Sequence, residues 1–111
     1  LKAIISDSYI KSAGCSVQDL RNGYAYITAY TDATTHVDSL QLNVYLQEWN
    51  GNYWVTVESW TKSAYLNNTI TFNTSHQIIS VEKYRVKTTH IIDHQGEIDS
   101  TETITSYIIA E

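Results

Sequence analysis

The chain has no proline and no methionine, and among its 111 residues there are four glycines and a single cysteine. The lone Cys15 excludes an intramolecular disulfide and a structural zinc site built from cysteines. A domain of this size must then rest on its apolar core, and Cys15 itself is expected to be a mostly buried free thiol on the first strand. So few glycines leave no phosphate-cradling loop, and neither G-x-S-x-G nor H-E-x-x-H occurs. Basic residues are scarce: seven Lys and Arg stand against twelve Asp and Glu, for a net charge of −5. That balance argues against nucleic acid, whose binding is dominated by cationic contacts to phosphate. Arg85 and Lys87 would share one face of a strand, which reads as a solvated face. No run approaches the roughly 18 apolar residues of a membrane helix, so no membrane insertion is expected.

What is present is β-forming. Apolar residues make up 42% and aromatics 12%, with nine tyrosines and three tryptophans. One domain over residues 1–111 is expected, with residues 1–8 set apart as a candidate flexible lead. Alternation of period two recurs, and no helical periodicity is sustained beyond ten residues. The pattern predicts about seven strands: 9–20, 24–30, 40–48, 53–62, 69–73, 82–92 and a last one from 98 onward. "TDATTHVD" reads as a loop between the second and third. Gly51 and Gly96 mark turns. Short strands at regular spacing without helices predict an antiparallel β-sandwich of immunoglobulin or fibronectin-III type. Ile78, followed six residues later by Tyr84 at the head of an alternating strand, reads as a tyrosine corner. The expected corner has a buried Tyr84 ring, its hydroxyl bonded to backbone near 78–81. The antibody Cys…Trp…Cys spacing is absent.

All three tryptophans lie in "QEWNGNYWVTVESW", residues 47–60. Asn50–Gly51 is the strongest hairpin signal in the chain. A two-residue turn would place Leu46 opposite Val55, Val44 opposite Val57 and Leu42 opposite Ser59. Leu42, Val44, Leu46, Val55 and Val57 would then face the core, and Tyr45, Trp49, Trp54 and Trp60 would form an exposed aromatic band. A three-residue turn would instead put Leu42 opposite Glu58 and bury that carboxylate without a partner, which is costly. The two-residue turn is therefore preferred. An aromatic band on a polar surface suits pyranose rings, a peptide or another subunit. The competing reading is structural: Trp49 and Trp54 pair across the hairpin, and Trp60 is peripheral core.

No catalytic set is assembled by the spacing. His90, His94 and Asp93 would make only a weak metal site, because strand positions 90 and 94 lie roughly 13 Å apart. Asp93, Glu97, Asp99 and Glu102 lack the dense spacing of calcium loops and read as surface charge. No metal, no cofactor and no enzymatic activity are expected. The sequons at Asn67 and Asn73 carry meaning only in a eukaryotic secreted protein.

"YIKSAGCSVQDLRNG", "VYLQEWNGNYWVTVESWT", "YRVKTTHII" and "GEIDSTETITSY" together resemble an uncharacterised family of small secreted β-proteins of Gram-positive bacteria. The resemblance runs from Tyr9 to Tyr107, and its most specific part couples the tryptophan segment to the later Tyr-Arg-Val strand. It implies a secreted, extracellular protein whose natural start lies upstream of Leu1, and it brings no activity and no catalytic residues. The expected function is a non-catalytic interaction module for an unknown carbohydrate or protein ligand, monomeric or weakly dimeric. The alternative is a self-associating surface or envelope protein, and a small hydrolase is the third and weakest reading.

Overall fold

The computed structural model describes residues 8–111; seven of the eight residues set apart as a lead lie outside them. Among the described residues there are six strands and no helix: β1 (Ile10–Asp19), β2 (Tyr24–Trp49), β3 (Trp54–Gln77), β4 (Lys83–His94), β5 (Glu97–Ile104) and β6 (Ile108–Ile109). All pairings are antiparallel within one curled sheet. The first arm of β2 pairs with β1 on one side and the second arm pairs with β4 on that same side, while β3 runs along the other side of both arms.

The count is six rather than seven because two expected boundaries are bends inside long strands, while the last expected strand is divided into β5 and β6. "TDATTHVD" belongs to β2, and 53–62 and 69–73 are parts of β3. The bend is visible in the register, which passes from Asp32↔Thr69 to Val37↔Asn67, so four residues of β2 bulge past a single residue of β3. Leu66 on β3 takes a positive φ of 51° at the same level. A bulge bends a strand and re-aims its side chains. Here it switches the inward parity of β2 from odd residues (Ala25, Ile27, Ala29, Thr31, Ala33) to even ones (Leu40, Leu42, Val44, Leu46). Both arms therefore turn their apolar sides to one interior, where Val37, Ile70, Val86 and Ile92 join them.

Contacts between the arms show the closure. Trp60 on the first arm of β3 packs against Phe72 and His76 on the second, with ring centroids 5.9 and 5.8 Å apart. The Lys62 ammonium donates to the Thr71 carbonyl at 2.6 Å. On the other side Asp99 of β5 accepts from the Ser8 hydroxyl and the backbone N–H groups of Tyr9 and Ile10. A polar line crosses the interior: Thr31 Oγ1 lies 2.8 Å from His90 Nδ1, His90 Nε2 lies 2.7 Å from Thr103 Oγ1, and Thr103 donates to the Cys15 sulfur at 3.2 Å. Burial holds the His90 imidazole below its ordinary pKa. Cys15 is a free thiol and only half-buried, less covered than expected.

Tyr84 is 2% exposed, and its hydroxyl accepts the Ile79 N–H at 2.9 Å. The phenol is pushed above its ordinary pKa by burial, with a hydrogen bond to Glu48 adding to the effect. Ile78, buried beside it, donates its N–H to the Gly23 carbonyl and ties the β3–β4 turn to the β1–β2 turn. Gly51 and Gly96 hold φ of 101° and 82° in their turns. Glycine reaches this region without the steric cost a Cβ imposes.

Candidate functional site

The β2–β3 hairpin adopts neither of the two registers weighed from the sequence. Its loop has four residues, 50–53, and Trp49 pairs with Trp54. Asn50 sets the loop: its side-chain oxygen accepts the N–H groups of Asn52 and Tyr53 at 2.8 and 2.9 Å. This side-chain mimicry of a turn competes successfully with the tighter Asn–Gly turn. A second bulge follows at Val57, since Gln47 pairs with Thr56 and Leu46 with Glu58.

That bulge divides the aromatic band. Tyr45, Trp49 and Trp54 stay on the outer face, but Trp60 pairs with Val44 and turns inward onto Phe72 and His76. The expectation that Trp60 belongs to the exposed band is thus corrected by one extra residue. The assignment of Val55 and Val57 to the core is corrected too: they are 37% and 44% exposed, one beside the hairpin end and one at the bulge. Leu42, Val44 and Leu46 do face the core. Glu58 is on the inner side, yet it escapes burial because β3 is an edge strand; its carboxylate is about half exposed and lies 3.8 Å from His76 Nε2.

On the outer face the rings meet three cations. The Arg85 guanidinium sits 4.6 Å from the Trp54 ring centroid, the Lys83 ammonium 5.2 Å from that of Tyr107, and the Lys87 ammonium 5.9 Å from that of Tyr45. Each contact is worth on the order of 0.5–1 kcal/mol at an exposed site. Trp54 also approaches Trp49 (5.4 Å, tilted 59°) and Tyr107 (6.2 Å, tilted 44°). Arg85 is held in place by a chain across three strands: its Nε donates to Gln47 Oε1 at 2.8 Å, and Gln47 Nε2 donates to Thr56 Oγ1 at 3.2 Å. The guanidinium is thereby preorganised over the indole before any ligand arrives.

Two adjoining hollows open at this end of the face. One, of about 310 Å³, is lined by Trp49, Trp54, Lys83 and Tyr107. The other, of about 510 Å³, is lined by residues that include Glu48, Trp49, Asn50, Glu82 and Lys83. Trp49 and Lys83 form the wall between them. Lys83, Arg85 and Tyr107 were not singled out from the sequence as ligand contacts. The Lys83–Arg85–Lys87 alternation was the available signal, because period two places all three on one face. Tyr107 has no local signal; the chain beyond β5 brings it back to Trp54.

The residues weighed for metal binding are dispersed. His90 points into the core, His94 lies 3.6 Å from Asp38 and edge-on to Tyr9, Asp99 anchors residues 8–10, and Glu102 pairs with Lys87. No cluster of three or more metal-ligating side chains forms among the described residues.

No protein-family model matches the chain, and no curated protein matches it significantly. Among solved structures, R. palustris CsgH is similar at 9% identity and a TM-score of 0.48, over 86% of this chain and 92% of that one. A protein from Archaeoglobus fulgidus is similar at 12% identity and a TM-score of 0.42, over 92% and 98%. Neither likeness is close enough to carry a function from one chain to the other.

Proposed function

We propose that the protein is a secreted, non-catalytic interaction module that binds a carbohydrate or protein ligand through the outer face of its hairpin. Tyr45, Trp49 and Trp54 remain in this reading, Lys83, Arg85 and Tyr107 join it, and Trp60 leaves it. The observation that carries it is the preorganised pairing of rings with cations beside two hollows of ligand size, with Tyr45, Trp49 and Trp54 half-buried and Tyr107 exposed. Small-molecule sites of about 300–1,000 Å³, with an apolar wall and a few placed polar groups, have this character. The curled sheet, with its arms closed on a common core, also supports a sandwich reading of immunoglobulin or fibronectin-III type. A glycan and peptide binding screen tests the function, with Trp54→Ala as the paired control. Binding by the parent chain that is lost in a folded Trp54→Ala variant is the expected result. Binding indifferent to Trp54, Trp49 and Arg85 would refute the assignment of the face.

One observation favours self-association as a second reading. Among the described residues β3 pairs only with β2, and residues 67–75 along it carry no formal charge. An uncharged edge strand is open to pairing with another chain. Sedimentation across a concentration series distinguishes the two: a dimer broken by Thr71→Lys, with ligand binding intact, assigns association to the edge rather than the aromatic face.

A further inference from the structure

We infer that the ligand of the outer face is an acidic glycan, a chain of pyranose rings bearing carboxylates; this rests on the interaction-module reading above. The protein carries a net charge of −5, yet three of its seven basic residues, Lys83, Arg85 and Lys87, stand side by side on this one face. Lys87 is compensated by Glu102 at 3.4 Å. Lys83 and Arg85 form no ion pair with a carboxylate among the described residues; what they meet instead is the rings of Tyr107 and Trp54. Two uncompensated cations beside flat apolar rings match a ligand with a carboxylate next to a flat apolar face. A uronic acid has that construction: the C–H face of the pyranose lies on an indole or phenol, and the carboxylate projects from the ring edge.

The two hollows divide the remaining recognition. The smaller is lined by rings and Lys83, with no acidic group, and suits the carboxylate-bearing residue. The larger offers Glu48, Glu82 and Asn50, which accept hydrogen bonds from hydroxyls on the neighbouring sugar. An acidic peptide fits less well, because it lacks the row of hydroxyls from which Glu48, Glu82 and Asn50 would accept. It also could not add as a strand here, since β2 and β4 are paired on both sides and their ladder groups are used. An anionic membrane or nucleic acid would meet repulsion from most of the remaining surface.

The test is calorimetric titration of the full chain with oligogalacturonate and oligoglucuronate, with their carboxyl-reduced neutral counterparts, and with polyglutamate of matched charge. We expect an acidic oligosaccharide to bind at least on the order of tenfold more tightly than its reduced counterpart and to weaken with added salt. Lys83→Gln and Arg85→Gln should each erase most of that preference, and Trp54→Ala should abolish binding of both forms. Circular dichroism verifies that the variants are folded. Equal binding of acidic and reduced oligosaccharides, still lost in Trp54→Ala, would overturn the acidic class and leave the module reading standing. Tighter binding of polyglutamate would overturn the glycan, and failure of every acidic sugar to bind would overturn the inference outright. Sugar binding unaffected by Trp54→Ala would overturn both the inference and the placement of the site.

Discussion

Removing a single oxygen tests how the β3–β4 turn is held. In Tyr84→Phe the ring stays, so no cavity opens and the change is confined to the hydroxyl. That hydroxyl accepts the Ile79 N–H at 2.9 Å. A typical intramolecular hydrogen bond contributes about 1 kcal/mol net, and an orphaned buried donor costs about 1–3 kcal/mol. Ile79 is 62% exposed, so water can reach the turn and soften the loss of its acceptor. The expected cost is therefore about 1–1.5 kcal/mol, which lowers Tm by roughly 4–10 °C in a domain near 100 residues. Tyr84→Ala should cost about 3–5 kcal/mol, because it also empties a ring-sized volume beside the core. Urea unfolding followed by far-UV dichroism measures both, with the m-value showing whether the denatured state has changed. A Tyr84→Phe midpoint indistinguishable from the parent would refute the argument that this bond holds the turn.

The tryptophans should separate by face: Trp60→Ala, which strips a ring from Phe72 and His76, should cost about 3 kcal/mol, and Trp54→Ala about 1 kcal/mol. Equal costs in urea unfolding would contradict the bulge at Val57. Thr88 is fully buried and its hydroxyl has no partner among the described residues, so Thr88→Val should stabilise the fold by about 1 kcal/mol; a loss of stability would show that the hydroxyl is bonded in solution. His90 makes stability depend on pH. Because burial holds its pKa below 6.5, the unfolded chain takes up the proton first as pH falls. The stability from the neutral ring is complete above 6.5 and is lost progressively below it until the folded ring protonates. The urea midpoint measured across this range should fall less in His90→Gln than in the parent, and an equal fall would refute the assignment to His90.

Much of the architecture follows from local pattern. Alternation in "LQLNVYLQ" places Leu42, Val44 and Leu46 on one side whatever the neighbouring strands do, because successive side chains in a strand point to opposite faces. The Tyr84 corner is legible for a similar reason: its anchor, loop and strand head lie within seven residues. The all-β class follows from composition and period together, and with it the placement of Tyr45 and Trp49 on the face opposite the leucines.

Tertiary structure decided what depends on counting residues between strands. A bulge changes which face a side chain takes without altering the alternation on either side of it. The extra residue at Val57 sends Trp60 inward while Trp54 stays outside, and the bulge after Asp32 joins two expected strands into one bent ribbon. Nothing local in "VTVESW" or "TDATTHVD" specifies those insertions; they arise because both arms must turn their apolar sides to the same core. The ligand face has the same origin. Lys83, Arg85 and Tyr107 are far in sequence from Trp49 and Trp54, and only the pairing of β4 with β2 and the return of the chain beyond β5 bring cations and rings together.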